Sequence, residues 1–278
     1  VTESLFGLPR LLTGVRRFSP DYLRDTRRGL WDDRRSLEAL RLADRDRILD
    51  VGSGSGELTS VLRAESSASV VGLDVDRALL DHVDDADGLV QGDAVRLPFG
   101  DDAFDLVVCQ ALLINLPDPV AAIREFSRVS RDLVAAIEPD NGQVSVESTV
   151  DGEDRLADRA RYRYIRGVRT DVTLGSSVAE RFRDVGLRSV ESIRHPLRRS
   201  VTPPYTDADV ESARRKVRGT RIEDQRPTLR SGGLSQAEID ELRDEWQAMG
   251  RSVVEQMAAR EYEREAVIPF FVTVGRVE

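Results

Sequence analysis

Asp50, Gly52, Gly54 and Gly56 stand at alternate positions where an apolar strand, Arg47-Ile48-Leu49-Asp50-Val51, gives way to a helix start at Glu57. Glycines at this spacing let the main chain turn with positive φ and bring its N–H groups against a ligand that a side chain would exclude. Asp50, at the strand end, offers a carboxylate to a cationic group, and Ser53 lies inside the same turn. A nucleotide-type ligand belongs there. The dinucleotide fingerprint G-x-G-x-x-G does not fit, because its third glycine would be Glu57 counted from Gly52 and Thr59 counted from Gly54.

The whole run, D-x-G-x-G-x-G, resembles motif I of the class I S-adenosylmethionine methyltransferases. The resemblance continues in Val71-Gly72-Leu73-Asp74-Val75-Asp76, which puts an acid at the end of a second strand. In such enzymes an acid there accepts hydrogen bonds from the ribose hydroxyls, which implies that role for Asp74, with Val75 beside it; Asp76 reads as the cap of the next helix. Further on, Gln91-Gly92-Asp93-Ala94-Val95-Arg96-Leu97-Pro98-Phe99 and Phe104-Asp105 are similar to the G-D-A-x-x-L-P-F…F-D pattern of the type 11 branch, which includes quinone-ring methylases. That likeness implies an adenine contact for the Asp93 carboxylate and the Ala94 N–H, and a place for Gln110 at the methionine end. It spans residues 48 to 193, strong over the first half and loose over the second; the usual R-V-L-K-P-G-G turn before the fifth strand is replaced by Arg128-Val129-Ser130-Arg131-Asp132, and that strand ends in Glu138-Pro139-Asp140-Asn141.

The resemblance implies S-adenosylmethionine as cofactor and methyl transfer by direct in-line displacement. That reaction rests on positioning and exclusion of water. A base is needed only for a hydroxyl or protonated amine acceptor; Glu138, Asp140, His195 and Tyr205 are the available groups, and the catalytic residues stay unassigned. Neither N-P-P-Y nor D-P-P-Y follows the fourth strand, which removes support for methylation of a nucleobase amine. Cys109 has no second cysteine to work with and reads as a small buried residue. With two histidines and no cluster at ligand spacing, no metal is expected.

Strand-like runs at 47–51, 69–74, 88–91, 105–109, 133–138, 189–194 and 269–276 alternate with helical ones at 57–65, 77–84, 119–130 and 177–185. This gives an α/β, Rossmann-like, doubly wound sheet of seven mostly parallel strands, the last antiparallel. The division is a single methyltransferase domain over 1–278: core 45–200 and 266–278, N-terminal helices within 1–44 (20–28 and 32–43), and a helical insertion or lid at 202–265. In that insertion Ile239, Leu242, Trp246, Met249, Val253, Met257 and Tyr262 recur every three or four residues, as on a helix with one buried face.

The 278 residues carry 41 basic and 50 acidic side chains, a net charge of −9, and Lys216 is the one lysine. This acidic, arginine-for-lysine balance suggests a salt-loving source such as a halophilic archaeon, with codon bias as the alternative. It makes nucleic acid an unlikely partner and favours a small-molecule acceptor. A lone cysteine, no leader pattern and no apolar run of membrane length suit the cytoplasm. Methylation of tRNA or protein, and a non-catalytic nucleoside-binding regulator, are the alternative functions; oligomeric state is not read.

Overall fold

The computed structural model describes residues 18–278, so readings on residues 1–17 lie outside it. The chain forms two compact units. One holds residues up to Asp140 with Leu174–His195 and Phe270–Glu278, and the other Asn141–Thr173 with Pro196–Pro269.

In the first unit β1 (Arg47–Val51), β2 (Ser69–Asp74), β3 (Gly88–Gln91), β4 (Phe104–Gln110) and β5 (Ser130–Pro139) form a sheet in the order β3-β2-β1-β4-β5. All four neighbouring pairs are parallel. β4 is buried at every residue and β5 from Leu133 onward, as interior parallel strands with both faces covered must be. The helices of this unit are α1 (Pro20–Arg27), α2 (Glu57–Glu65), α3 (Arg77–Leu80), α4 (Pro119–Val129) and α6 (Val178–Asp184). On α4 the buried stripe is Ala122, Ile123, Phe126 and Val129, and Asp118 caps its start by accepting the Ala121 N–H at 3.0 Å.

The second unit holds β6 (Ser145–Ser148), α5 (Glu153–Gly167), α7 (Asp207–Arg218), α8 (Thr220–Asp224), α9 (Arg226–Ser231) and α10 (Gln236–Ala259). Two long strands, β7 (Arg188–Val201) and β8 (Arg264–Arg276), have residues in both units. β8 runs antiparallel to β5 through its later residues and to β6 through Arg264–Val267, and β7 also pairs with β8.

The doubly wound, mostly parallel sheet with an antiparallel last strand is thus present, with eight strands among the described residues rather than seven. The extra one, β6, has only four residues, each exposed or half-buried, too few for a period-2 pattern to stand out. A helix over 32–43 also needs correction. That stretch is two 3₁₀ turns, Arg35–Leu40 and Leu42–Asp44, broken at Arg41, whose φ of 51° takes the chain out of the helical region. α3 ends at Leu80 because the His82 and Val83 N–H groups reach back only three residues, to Leu79 and Leu80. In α10, Ile239, Leu242, Trp246, Met249 and Val253 are buried in the second unit's own core, with Leu156, Ile222 and Leu229, while Tyr262 lies beyond the helix end.

Candidate cofactor site

The carboxyl ends of β1, β2, β3 and β4 bring Asp50, Asp74, Gln91 and Gln110 to one edge of the sheet, through the registers Val51 with Leu73, Asp74 with Gln91 and Val51 with Cys109. Open α/β sheets bind their ligands at this edge, where strand order reverses on either side of β1.

The glycine turn after β1 has positive φ at Gly52 (70°), Gly54 (57°) and Gly56 (91°). A Cβ on Gly52 would come within 2.8 Å of Leu112 Cδ1, and one on Gly54 within 2.8 Å of Leu23 Cδ1. The N–H groups of Gly52, Ser53, Gly54 and Gly56 are bonded to the protein itself. Gly52 and Ser53 donate to the Leu73 carbonyl at 2.7 and 3.0 Å, Gly54 to Asp74 Oδ2 at 2.9 Å, and Gly56 to the Ser53 carbonyl at 2.9 Å. The glycines thus let the loop lie against β2, with Gly52, Ser53 and Gly54 bonded to its carboxyl end.

Asp50 is 1% exposed. Its Oδ2 accepts the Thr59 hydroxyl at 2.7 Å, whereas Oδ1 has no partner among the described residues. Burial pushes its carboxyl up to about 7, against the Thr59 hydrogen bond and helped by the charge of Asp74. Asp50 lines a cavity of about 20 Å³ with Gly52, Ser53, Gly54 and Gln110, and with Leu23 and Arg27 of α1. That is room for one water. Gln110 is held by the Trp31 indole, whose Nε1–H donates to Oε1 at 2.8 Å.

Asp74, Val75, Asp93 and Ala94 do not line this cavity. Asp74 uses its two oxygens to hold the Gly54 and Asp76 N–H groups, at 2.9 and 2.8 Å, and burial raises its pKa. Its carbonyl accepts the Gly92 N–H at 3.0 Å, which ties the turn carrying Asp93 to the end of β2. Asp93 is exposed and caps its own turn through the Val95 N–H at 3.1 Å; Ala94 is buried. Val75 and Val95, at 53% and 39% exposure, are among the few large apolar side chains the described residues leave in solvent. Gly56 caps the start of α2.

The four acid–base groups read from sequence are all engaged elsewhere. Glu138, fully buried, accepts the Leu112 and Leu113 N–H groups at 2.9 and 2.8 Å and fixes the turn after β4. Asp140 accepts the Ser176 hydroxyl at 2.6 Å. His195 Nε2 lies 2.6 Å from the Leu30 carbonyl, which can only accept, so Nε2 carries the proton and Nδ1 faces the Ser36 hydroxyl at 2.9 Å. His195 thereby clamps the segment that carries Trp31, whose ring it stacks on at 5.2 Å. Tyr205 donates to the Tyr262 carbonyl at 3.0 Å. Burial pushes the Cys109 thiol well up, so it is not a nucleophile. Among the described residues no group of His, Cys, Asp and Glu is placed to hold a metal, and no helix is long and apolar enough to cross a membrane. Sequence reasoning missed Leu23 and Arg27, which line the cavity, and Trp31, which holds Gln110; no motif marks them.

Residues 49–133 match the family described as a methyltransferase domain. The fold around it is the Rossmann-like fold of class I methyltransferases. The chain is 38% identical over 99 residues to a demethylmenaquinone methyltransferase of Mycobacterium marinum, a match covering 35% of this chain and 42% of that protein. A demethylmenaquinone methyltransferase of Mycobacterium tuberculosis is 36% identical over 104 residues, covering 35% of this chain and 42% of that protein. The match thus spans about two fifths of these relatives' length. Among solved structures, the YcgJ protein of Bacillus subtilis superposes with a TM-score of 0.52 at 17% identity, covering 87% of this chain and 98% of that one.

Proposed function

We propose that this chain binds S-adenosylmethionine at the carboxyl ends of β1, β2 and β3 and transfers its methyl group to a small-molecule acceptor by in-line displacement. The observation that carries the reading is Asp50: a buried carboxylate with one oxygen unpartnered, beside a loop whose three glycine N–H groups are already bonded. Such a site suits a cofactor that presents an ammonium and no phosphate. The donor set fits S-adenosylmethionine in kind. Asp50 and Gln110 would hold its amino-acid end, Asp74 its ribose, and Asp93 with the Ala94 N–H its adenine, between the exposed Val75 and Val95. The cavity of about 20 Å³ is smaller than any nucleoside, so Leu23 and Arg27 of α1 must give way on binding.

When bound, the cofactor supplies an electrophilic methyl on a sulfonium. The chain's own work is to orient it, exclude water and hold the acceptor in line. None of the four candidate bases is free, so no proton acceptor is assigned. The matched residues 49–133 lie in the cofactor half; a quinone-like acceptor is suggested only by what the mycobacterial relatives are called.

One observation favours a second reading, an RNA acceptor. Arg155, Arg159, Tyr162, Arg166 and Arg169 follow one helical stripe along and just past α5, and all five are exposed. Titration calorimetry with S-adenosylmethionine and S-adenosylhomocysteine tests the cofactor; no binding of either ends the proposal. Methyl-labelled cofactor incubated with a cell extract, then split into small molecules, RNA and protein, separates the acceptors, and label in the small-molecule pool is the expected result.

A further inference from the structure

Beside the cofactor cavity lies a second, wider one of about 310 Å³, and the two share Arg27 and Glu57 as common wall. Four arginines line the wider groove, Arg24, Arg27, Arg28 and Arg34, with Trp31 between them in sequence. In a chain with one lysine this gathers four guanidinium groups at the mouth of the cofactor site. Acids are present too: Asp32 and Glu57 also line the groove, and Asp21, Asp25 and Glu65 pair with three of its arginines, so the cation left without an ion pair is Arg27.

The four arginines are not equivalent. Arg24 pairs with Asp21 at 3.5 Å, Arg28 with Asp25 at 2.6 Å, and Arg34 with Glu65. In each of these pairs both side chains are more than a third exposed, so the pairs are weak and can be exchanged for a ligand anion at little cost. Arg27 has no carboxylate within ion-pair reach among the described residues; its Nη1 donates to the Thr26 hydroxyl at 2.6 Å. Burial pushes its guanidinium below the ordinary value, opposed by the nearby Tyr22, Glu57 and Glu138. Arg27 is also the one arginine that lines both cavities.

We propose that this groove anchors the methyl acceptor by an anionic group, a carboxylate or phosphate, held by Arg27 at the junction with Arg24, Arg28 and Arg34 around it. The inference rests on the methyltransferase reading and adds the substrate class. An anion fixed at Arg27 sets the rest of the acceptor beside the cofactor loop, because the same side chain borders the space enclosed by Asp50, Gly54 and Gln110. Trp31 makes the arrangement responsive to cofactor. Its ring belongs to the groove while its N–H holds Gln110 on the other side.

The experiment uses the full chain saturated with S-adenosylhomocysteine and titrates benzoate, benzamide and inorganic phosphate. Benzoate and phosphate are expected to bind and neutral benzamide is not, with affinity falling as chloride is raised. Arg27→Met is expected to weaken both anions roughly tenfold or more, and Arg27→Lys to recover part of that loss. Thermal melts of each variant verify folding. In parallel, the small-molecule extract incubated with labelled cofactor is passed over an anion exchanger, and label is expected in the retained fraction. Label in the unretained fraction, or benzamide binding as well as benzoate, overturns the proposal. So does an Arg27→Met variant that loses S-adenosylhomocysteine and keeps the anions, since Arg27 would then serve the cofactor's own carboxylate. Failure of the wild-type protein to bind S-adenosylhomocysteine is a separate result, which defeats the methyltransferase reading itself.

Discussion

The Thr59 hydroxyl donates to Asp50 Oδ2 at 2.7 Å in the first turn of α2, and it is the one side-chain hydrogen bond that the described residues give this buried carboxylate. The bond fixes the carboxylate's plane and leaves Oδ1 as the free acceptor. It also decides how the site titrates. With a pKa near 7, Asp50 is largely protonated at pH 6, and a cationic ligand must drive the proton off. S-adenosylhomocysteine affinity is therefore expected to rise from pH 5.5 to 8, with proton release on binding near pH 6, measured by calorimetry in buffers of different ionisation enthalpy. Thr59→Val removes the bond that favours the charged form and should move the midpoint upward. Asp50→Asn should weaken binding and abolish the proton release.

The same carboxylate, together with Glu138, sets a stability trend in the apo protein. Both are pushed up to about 7 by burial, from 3.8 and 4.5. A carboxyl whose pKa is raised on folding binds its proton more tightly in the native state. Its stabilising contribution is full below the unfolded value and is lost as pH rises through the folded one. Urea midpoints should accordingly show a component that falls between about pH 4 and 7 and levels above it. Asp50→Asn and Glu138→Gln should each flatten part of that fall. Glu138→Ala should cost about 3 kcal/mol, because the Leu112 and Leu113 N–H groups lose their acceptor.

In the second unit the chain's one lysine, half-buried, packs against the buried Glu153. Lys216 Nζ lies 2.5 Å from Glu153 Oε1, which Arg264 also reaches at 3.1 Å, while the Tyr262 hydroxyl donates to Oε2 at 3.0 Å. Burial alone would raise the Glu153 pKa, but the Lys216 ammonium beside it holds it below the ordinary value. Glu153→Met strands two cations and is expected to destabilise by about 3–5 kcal/mol. Adding Lys216→Met should recover part of that loss. Denaturant melts of the four-member cycle measure the coupling, and an additive double variant would mean the pair contributes no specific interaction.

Much of the parallel sheet was legible in the sequence because its strands are short apolar runs that end in polar residues at glycine turns. β1 and β2 have the bounds read from sequence, since Arg47-to-Val51 and Ser69-to-Asp74 are uninterrupted between charged or turn residues. What was not legible depends on distance along the chain. Trp31 meets Gln110 across 79 residues, and nothing in either segment signals the other. The fate of the glycine N–H groups was hidden for a related reason. The acceptors of Gly52 and Gly54, the Leu73 carbonyl and the Asp74 carboxylate, come within reach only once β1 has paired with β2. Arg41 broke a helix-like pattern with one backbone angle that no periodicity encodes.

The contact between α1 and the glycine loop sets how ligand enters. Leu23 is buried, and its Cδ1 sits 2.8 Å from the place where a Cβ on Gly54 would be, so this one side chain fills the space above the loop. Leu23→Ala should enlarge the cavity and speed association of S-adenosylhomocysteine, at a cost of about 2–3 kcal/mol in stability from the lost burial. Gly54→Ala should do the reverse, since its methyl collides with Leu23 and its φ of 57° is strained for any residue with a Cβ, by about 1 kcal/mol. The double variant relieves the collision and leaves the strain, so it should regain much of the binding but little of the stability. Stopped-flow fluorescence reads the association rate through Trp31, whose indole N–H bonds to cavity-lining Gln110. Trp31→Phe should remove the signal and Trp246→Phe, in the second unit, should retain it. An association rate unchanged by Leu23→Ala would mean that α1 does not gate the loop and that ligand reaches Asp50 from another side.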